Sequence, residues 1–219
     1  MKFKKTFFNK KILITGNTGF KGCWLTLWFL RLGANVVGVS KGLPSNPSLF
    51  EILNLKKKIK FYKFDITDYK KLSHVVKKEK PDFIFHLAAQ ALVLRSYKKP
   101  LETIKTNVIG TTNVLEVLKF IKKKCVCIII TSDKCYENLE LKRGYKETDL
   151  LGGKDIYSSS KASAEIITSS YFRTFLIFKK NIRIGVARAG NVIGGGDWSE
   201  NRIIPDWYRF FSRKKILSI

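Results

Sequence analysis

Short apolar runs alternate along the chain with stretches of helical spacing. Ile12 to Ile14 form the first run, Val36-Val-Gly-Val39 the second and Ile59-Lys-Phe-Tyr-Lys-Phe64 the third. Phe83-Ile-Phe-His-Leu87, Val126 to Ile130 and Ile182 to Ala187 follow. Their brevity and their β-branched and aromatic content are those of buried strands. Between them, helical patterns fall at Cys23–Leu32, Tyr69–Lys78, Pro100–Lys122 and Tyr157–Phe178, with a last helix carrying Trp207, Tyr208, Phe210 and Phe211. Apolar strands alternating with helices predict an α/β fold, a doubly wound parallel sheet covered on both faces. Gly33 suits the position just past the first long helix. Gly152-Gly153 and Gly194-Gly-Gly196 are expected to mark flexible loops.

The turn between the first strand and the first long helix carries chemistry. It reads Thr15-Gly-Asn-Thr-Gly-Phe-Lys-Gly22, with glycines at 16, 19 and 22. Glycine permits a tight turn and lets a pyrophosphate approach the backbone. The helix N-terminus adds unpaired N–H groups and a positive dipole end. Strand, glycine turn and helix together are the context that makes such a motif informative, and the expected sheet is Rossmann-like. Ligands in open α/β sheets sit beyond the carboxyl ends of the strands. The residues found there are Asp65-Ile-Thr-Asp68, Leu87-Ala-Ala-Gln90, Thr131-Ser-Asp-Lys134 and Arg188-Ala-Gly-Asn191.

Tyr157-Ser-Ser-Ser-Lys161 is a second signal, because positions four apart share one helix face. A lysine ammonium beside a phenol is expected to lower the phenol pKa, so that Tyr157 removes a proton from a substrate hydroxyl. Ser132 supplies a hydroxyl for the reacting oxygen.

These residues, with His86-Leu-Ala-Ala89 and Asn107, occur in the order found in the extended short-chain dehydrogenase/reductase superfamily, which the chain resembles over nearly its whole length. The resemblance implies NAD as cofactor. It implies cofactor contacts from Gly16, Thr18, Gly19, Phe20, Gly22, Asp65, Ile66, Leu87, Ala88, Ala89, Asn107, Tyr157 and Lys161. Asp133, directly after Ser132, points to the sugar-nucleotide 4,6-dehydratases, in which an acid there protonates a departing C6 hydroxyl. Lys134 replaces the usual glutamate, as in the branch acting on cytidine-diphosphate-glucose. Pro47-Ser-Leu-Phe-Glu51, Gln90-Ala-Leu-Val93 and Arg188-Ala-Gly-Asn-Val-Ile-Gly-Gly-Gly-Asp-Trp198 resemble that branch too. The implied catalytic set is Ser132, Asp133, Lys134, Tyr157 and Lys161. CDP-glucose or a similar nucleotide sugar is the implied substrate, touched by Gln90, Asn191 and Arg202. Lys134 is either the base for the C5 proton or an electrostatic stabiliser. A related epimerase and an inactive NAD-binding fragment stay open as alternatives, and a homodimer follows by analogy alone.

The residue after the second strand departs from this pattern. Ser40-Lys41 replaces the usual acid, and by electrostatics Lys41 favours a 2′-phosphate and hence NADP, against the NAD that the resemblance implies. Family members are longer, so the expectation is an NAD-binding domain over 1–190 and a truncated substrate-binding region starting in 191–219.

Composition narrows the rest. With 219 residues, 45% of them hydrophobic, the chain suits one sizeable domain and not a disordered segment. No apolar run spans a bilayer and no signal peptide is read, so a cytoplasmic location without membrane attachment is expected. The net charge of +25 suggests anionic partners, but only nine of the 42 basic residues are arginine and the lysines are scattered. Nucleic acid is therefore not the expected partner. Cys23, Cys125, Cys127 and Cys135 form no C-x-x-C pair and only two histidines are present, so neither a metal site nor a disulfide framework is expected.

Overall fold

Six parallel strands form one sheet in the order β3-β2-β1-β4-β5-β6. They are β1 (Lys11–Thr15), β2 (Asn35–Ser40), β3 (Lys60–Lys63), β4 (Phe83–His86), β5 (Cys125–Ile130) and β6 (Ile182–Ala187). The structure is a computed structural model and describes residues 2–214. Residues 215–219, the end of the expected substrate region, lie outside the described residues. The strand order reverses between β1 and β4, so the carboxyl ends of these neighbours open a crevice at the switch point.

Both faces of the sheet are covered, and β1 shows how. Leu13 joins the core under α4 (Tyr69–Glu79), α7 (Gly110–Leu118) and α8 (Ile156–Tyr171), where Leu72, Val76, Val114, Leu115 and Leu118 are buried. Ile12 and Ile14 face the other way, against Phe29 of α2 (Phe20–Arg31). Alternating side chains of one strand thus enter two cores, which accounts for its unbroken apolar run. A short helix, α1 (Lys2–Phe7), was not legible in the basic N-terminal stretch. Its Phe7 ring packs 4.8 Å from Phe29 and 5.0 Å from Phe83, sealing the α2 face. Leu49, Phe50 and Leu55, on α3 (Leu49–Ile52) and the turn after it, form a third cluster with Cys23.

The expected helices are present with shifted ends. Helix α2 begins at Phe20, three residues earlier than its apolar pattern suggests, because Gly19 is its N-cap. The pattern over Pro100–Lys122 becomes α6 (Pro100–Ile104), a wide turn over Lys105–Ile109 and α7, and it ends at Leu118. A similar wide turn, Phe172–Leu176, closes α8. The segment Val93–Lys98 adds a further short helix, α5. The glycine loops are packed: a side chain at Gly153 would meet the Ser159 backbone at 2.4 Å, and one at Gly196 would meet Leu49 at 2.6 Å. All four cysteines are buried and unpaired. No helix among the described residues is long and apolar enough to cross a membrane.

At the amino end of the sheet, Glu79 is a buried carboxylate with three partners. Lys60 Nζ lies at 2.6 Å, Tyr62 donates its hydroxyl at 2.6 Å and Lys11 donates at 3.2 Å. Burial pushes this carboxyl up, but its donors outweigh that and hold it at about 2. Glu79→Gln is expected to cost about 1–3 kcal/mol in urea unfolding at neutral pH. The folded carboxylate refuses a proton that the unfolded chain takes up near 4.5, so its contribution is present above that pH and is lost as pH falls towards 2. The variant's deficit should therefore shrink over that window, and a constant deficit would contradict the assignment.

Candidate active site

The glycine turn is shaped by contacts that leave no space for side chains. Gly16 has φ +75°, and a Cβ there would stand 2.7 Å from Ala88 N. A Cβ at Gly22 would stand 2.2 Å from the carbonyl oxygen of Gly16. The turn therefore sits directly on the Leu87–Ala89 segment after β4. The N-cap of α2, Gly19, gives no side-chain cap, so the first N–H groups of a twelve-residue helix point out of the turn unpaired by any side chain. Such a cradle fits a dinucleotide pyrophosphate. Thr18 shapes the cradle from within: its hydroxyl donates to Gly42 O at 2.6 Å and its N–H to Ser40 Oγ at 3.3 Å. Both groups are thus engaged within the protein.

Beneath the crevice runs a buried network. Thr15 Oγ1 lies 2.7 Å from His86 Nδ1, and His86 Nε2 lies 3.0 Å from Thr111 Oγ1. Thr111 donates its hydroxyl to Asn107 O, so it accepts from Nε2–H, and Nδ1 accepts from Thr15. Thr15 Oγ1 in turn accepts the Ala88 N–H at 3.2 Å. Burial, helped by the charge of Lys161, depresses the His86 pKa to about 3, and the ring is neutral.

Helix α8 presents the Tyr157–Lys161 face. Asp155 caps it by accepting from Ser158 N at 3.0 Å. Lys161 Nζ stands 5.9 Å from the centre of the Tyr157 ring, and both residues are buried. Burial and the neighbouring Lys21 charge bring Lys161 down to about 8. Tyr157 corrects the expectation: burial raises its pKa, while a hydrogen bond with Ser132 and the Arg202 charge pull it back only in part. Lys161 is not among the groups that lower this phenol.

After β5, Ser132 Oγ donates to Asp133 Oδ1 at 2.8 Å and accepts from Lys134 N at 3.3 Å. Asp133 and Lys134 are exposed, and among the described residues their side chains do not pair with one another. Arg188 and Glu165 lock the floor of this corner. The guanidinium gives Glu165 three hydrogen bonds, and Thr131 donates to the same carboxylate at 2.6 Å.

The remaining expected residues divide. Leu87, Ala88 and Ala89 line the crevice, and Phe20 lies at its helix mouth. Asp65 accepts from Thr67 through Oδ1, leaving Oδ2 turned towards Lys41. The Ile66 side chain belongs to the core, and its backbone N–H has no partner among the described residues. Asn107 braces the crevice: it accepts from Gln90 N at 2.8 Å and donates to Ser160 Oγ at 2.8 Å. The buried Gln90 amide bonds Leu92 and Thr103. Asn191 is exposed on the loop after β6. Arg202 pairs with Asp197 at 3.2 Å at the start of α9 (Ile203–Ser212), and its charge reaches Tyr157 and Lys21.

Lys21 was missed by sequence reasoning. Its amine is half-buried, with its pKa lowered by burial and by Arg202 and raised slightly by Asp133. One signal was available: α2 carries no other charge before Arg31, and a lysine inside the glycine turn breaks an apolar helix start.

Fold and site together define a Rossmann-type protein whose glycine cradle, serine, tyrosine and lysine share one crevice. Residues 13–187 match the family model described as GDP-mannose 4,6 dehydratase, and the chain belongs to that family. It is 43% identical over 210 residues to a CDP-glucose 4,6-dehydratase of Salmonella typhimurium, covering 94% of this chain and 58% of that protein. A dTDP-D-glucose 4,6-dehydratase of Dictyostelium discoideum is 30% identical over 232 residues, covering 100% of this chain and 52% of the relative. The chain thus spans little more than half the length of these curated relatives. Among solved structures, the dTDP-glucose 4,6-dehydratase of Bacillus anthracis in complex with NAD superposes with a TM-score of 0.78 at 25% identity, over 95% of this chain and 65% of that one. The UDP-glucuronic acid 4-epimerase of Bacillus cereus, in complex with UDP-glucuronic acid and NAD, gives 0.81 at 25% identity, over 94% and 64%.

His86 makes the network pH-sensitive. Between pH 6.5 and 3 the unfolded chain binds a proton that the folded chain refuses, so stability falls as pH drops through that window. Most carboxylates are still ionised between pH 6.5 and 5. The loss of urea-unfolding free energy there is expected to be about 1–2 kcal/mol for the native chain and near zero for His86→Gln. Equal slopes in the two proteins would refute the neutral buried ring.

Proposed function

We propose that this chain carries the cofactor site and the catalytic side chains of a sugar-nucleotide 4,6-dehydratase acting on CDP-glucose or a close relative of it. The observation that carries the reading is the convergence of Ser132 and Asp133 with Tyr157 and Lys161 beside the glycine cradle. The 43% identity to a CDP-glucose 4,6-dehydratase supports the substrate class. In this reading residues 1–190 form the dinucleotide domain, and the segment from 191 begins the substrate side with Asn191 and Arg202. A cytoplasmic homodimer belongs to the same proposal.

Gly16, Gly19, Phe20 and Gly22 would hold the pyrophosphate of NAD. Asp65 and the Ile66 N–H would meet the adenine, Leu87 to Ala89 would lie beneath the cofactor, and Tyr157 and Lys161 would meet the nicotinamide ribose. The bound cofactor would supply reversible hydride transfer, so that the net reaction is loss of water. This chain's own groups move the protons. Tyr157, as phenolate, takes the proton of the C4 hydroxyl, whose oxygen Ser132 holds by a hydrogen bond. Reaching the phenolate means overcoming the burial that now raises Tyr157, and the Ser132 hydrogen bond and the positive charge of Arg202 favour that form. Asp133 gives a proton to the departing C6 hydroxyl. Lys134 serves the C5 proton, as a neutral amine base or by stabilising the charge that develops.

The test is to mix the purified chain with CDP-glucose and NAD⁺ and follow the alkali-induced absorbance of a 4-keto-6-deoxy sugar. Product is expected with the native chain. Tyr157→Phe should lower the rate about 10²–10⁴-fold while NAD⁺ binding is retained. A C4 epimer in place of the keto sugar would refute the dehydratase assignment. NAD⁺ binding with no turnover would favour the cofactor-binding fragment instead.

A further inference from the structure

Lys41 follows the last residue of β2, the strand end from which this fold addresses the adenosine ribose. A bare lysine there would welcome a 2′-phosphate, yet this ammonium is not bare. Its Nζ lies 3.2 Å from Glu102 Oε1 and 3.7 Å from Asp65 Oδ2. Glu102 sits on α6, far along the chain, and Arg95 of α5 holds it: Nη2 donates to both carboxylate oxygens at 3.0 Å, and Nε donates at 3.3 Å. Burial pushes the Glu102 carboxyl up, but Arg95 and Lys41 outweigh it and keep the group ionised. Two cations and two carboxylates therefore balance at the ribose corner.

Resting on the dinucleotide reading above, we infer that Glu102 is the specificity-determining residue at this corner, replacing from α6 the acid missing after β2 and selecting a dinucleotide with a free 2′-hydroxyl over one with a 2′-phosphate. The selection is by charge. A 2′-phosphate must compete with Glu102 for Lys41 and endure repulsion from both carboxylates, whereas a 2′-hydroxyl leaves the four-charge cluster intact. Arg95 keeps Glu102 from swinging away, so the repulsion persists when a ligand arrives. Glu102 is partly exposed and its removal creates no cavity, so the fold is expected to tolerate its substitution.

Binding of NAD⁺ and NADP⁺ to the full chain, followed by calorimetry, tests this without recourse to turnover. The native chain is expected to bind NAD⁺ more tightly than NADP⁺. Glu102→Gln leaves the corner with one net positive charge and should shift the NADP⁺/NAD⁺ affinity ratio about tenfold towards NADP⁺, less at high salt. Lys41→Met should shift it the opposite way. Native preference for NADP⁺, or a ratio unchanged in both variants while NAD⁺ still binds, would overturn the inference and leave the dinucleotide reading standing. A native chain that binds neither dinucleotide would refute that reading and this inference with it.

Discussion

The site depends on one close approach of backbone to backbone. The turn after β1 lies against the segment after β4 so tightly that Gly16 could not carry a methyl group without displacing main chain, and Gly22 is closed in by the backbone of the turn itself. That contact exists because β1 and β4 are adjacent although far apart in sequence, at the point where the strand order reverses. The buried His86 network reinforces it, since Thr15 on β1 takes both the ring of His86 and the N–H of Ala88. Remove the approach and the first turn of α2 no longer faces the crevice that Tyr157 and Lys161 line from α8.

A second constraint is the scarcity of acid. The chain has 17 carboxylate side chains against 42 basic ones, and several of those carboxylates serve as hubs. Glu79 joins α4 to β1 and β3, Glu165 joins α8 to β5 and β6, and Glu102 joins α5 and α6 to the end of β2. Exposed pairs contribute little each, but a carboxylate shared by several donors from different elements fixes their relative position. The large net charge is thus carried by scattered lysines, while the acids sit where elements must be registered. Asp133 is an exception. It lies in the exposed turn after β5, where the Ser132 hydroxyl donates to it at 2.8 Å.

Sequence reasoning reached the sheet and the crevice because both are written in local pattern. Apolar runs marked every strand, and Tyr157 and Lys161 share a face at any helix of that spacing. What it missed depends on non-local packing. α1 is a helix because Phe3 and Phe7 find aromatic partners on α2 and β4, which no local rule anticipates. The resemblance implies Gln90 as a substrate contact and Asn107 as a cofactor contact, and no local rule shows that the fold also bonds the two to one another. Lys41 read as a free cation because its neutralising partner lies some sixty residues away. The error over Tyr157 is of the same kind: the spacing gives the neighbour, but not the desolvation that acts on both groups.

The C-terminal helix joins these themes. Arg202 is its N-cap, fixed by Asp197 in the loop that Trp24 holds through Gly195 O at 2.9 Å. The body of the helix exposes Ile203, Trp207, Tyr208 and Phe211, and none of its residues is buried among the described contacts. Arg202, at the head of that helix, carries a charge that reaches Tyr157. Its charge is one of the two influences that lower the phenol against burial.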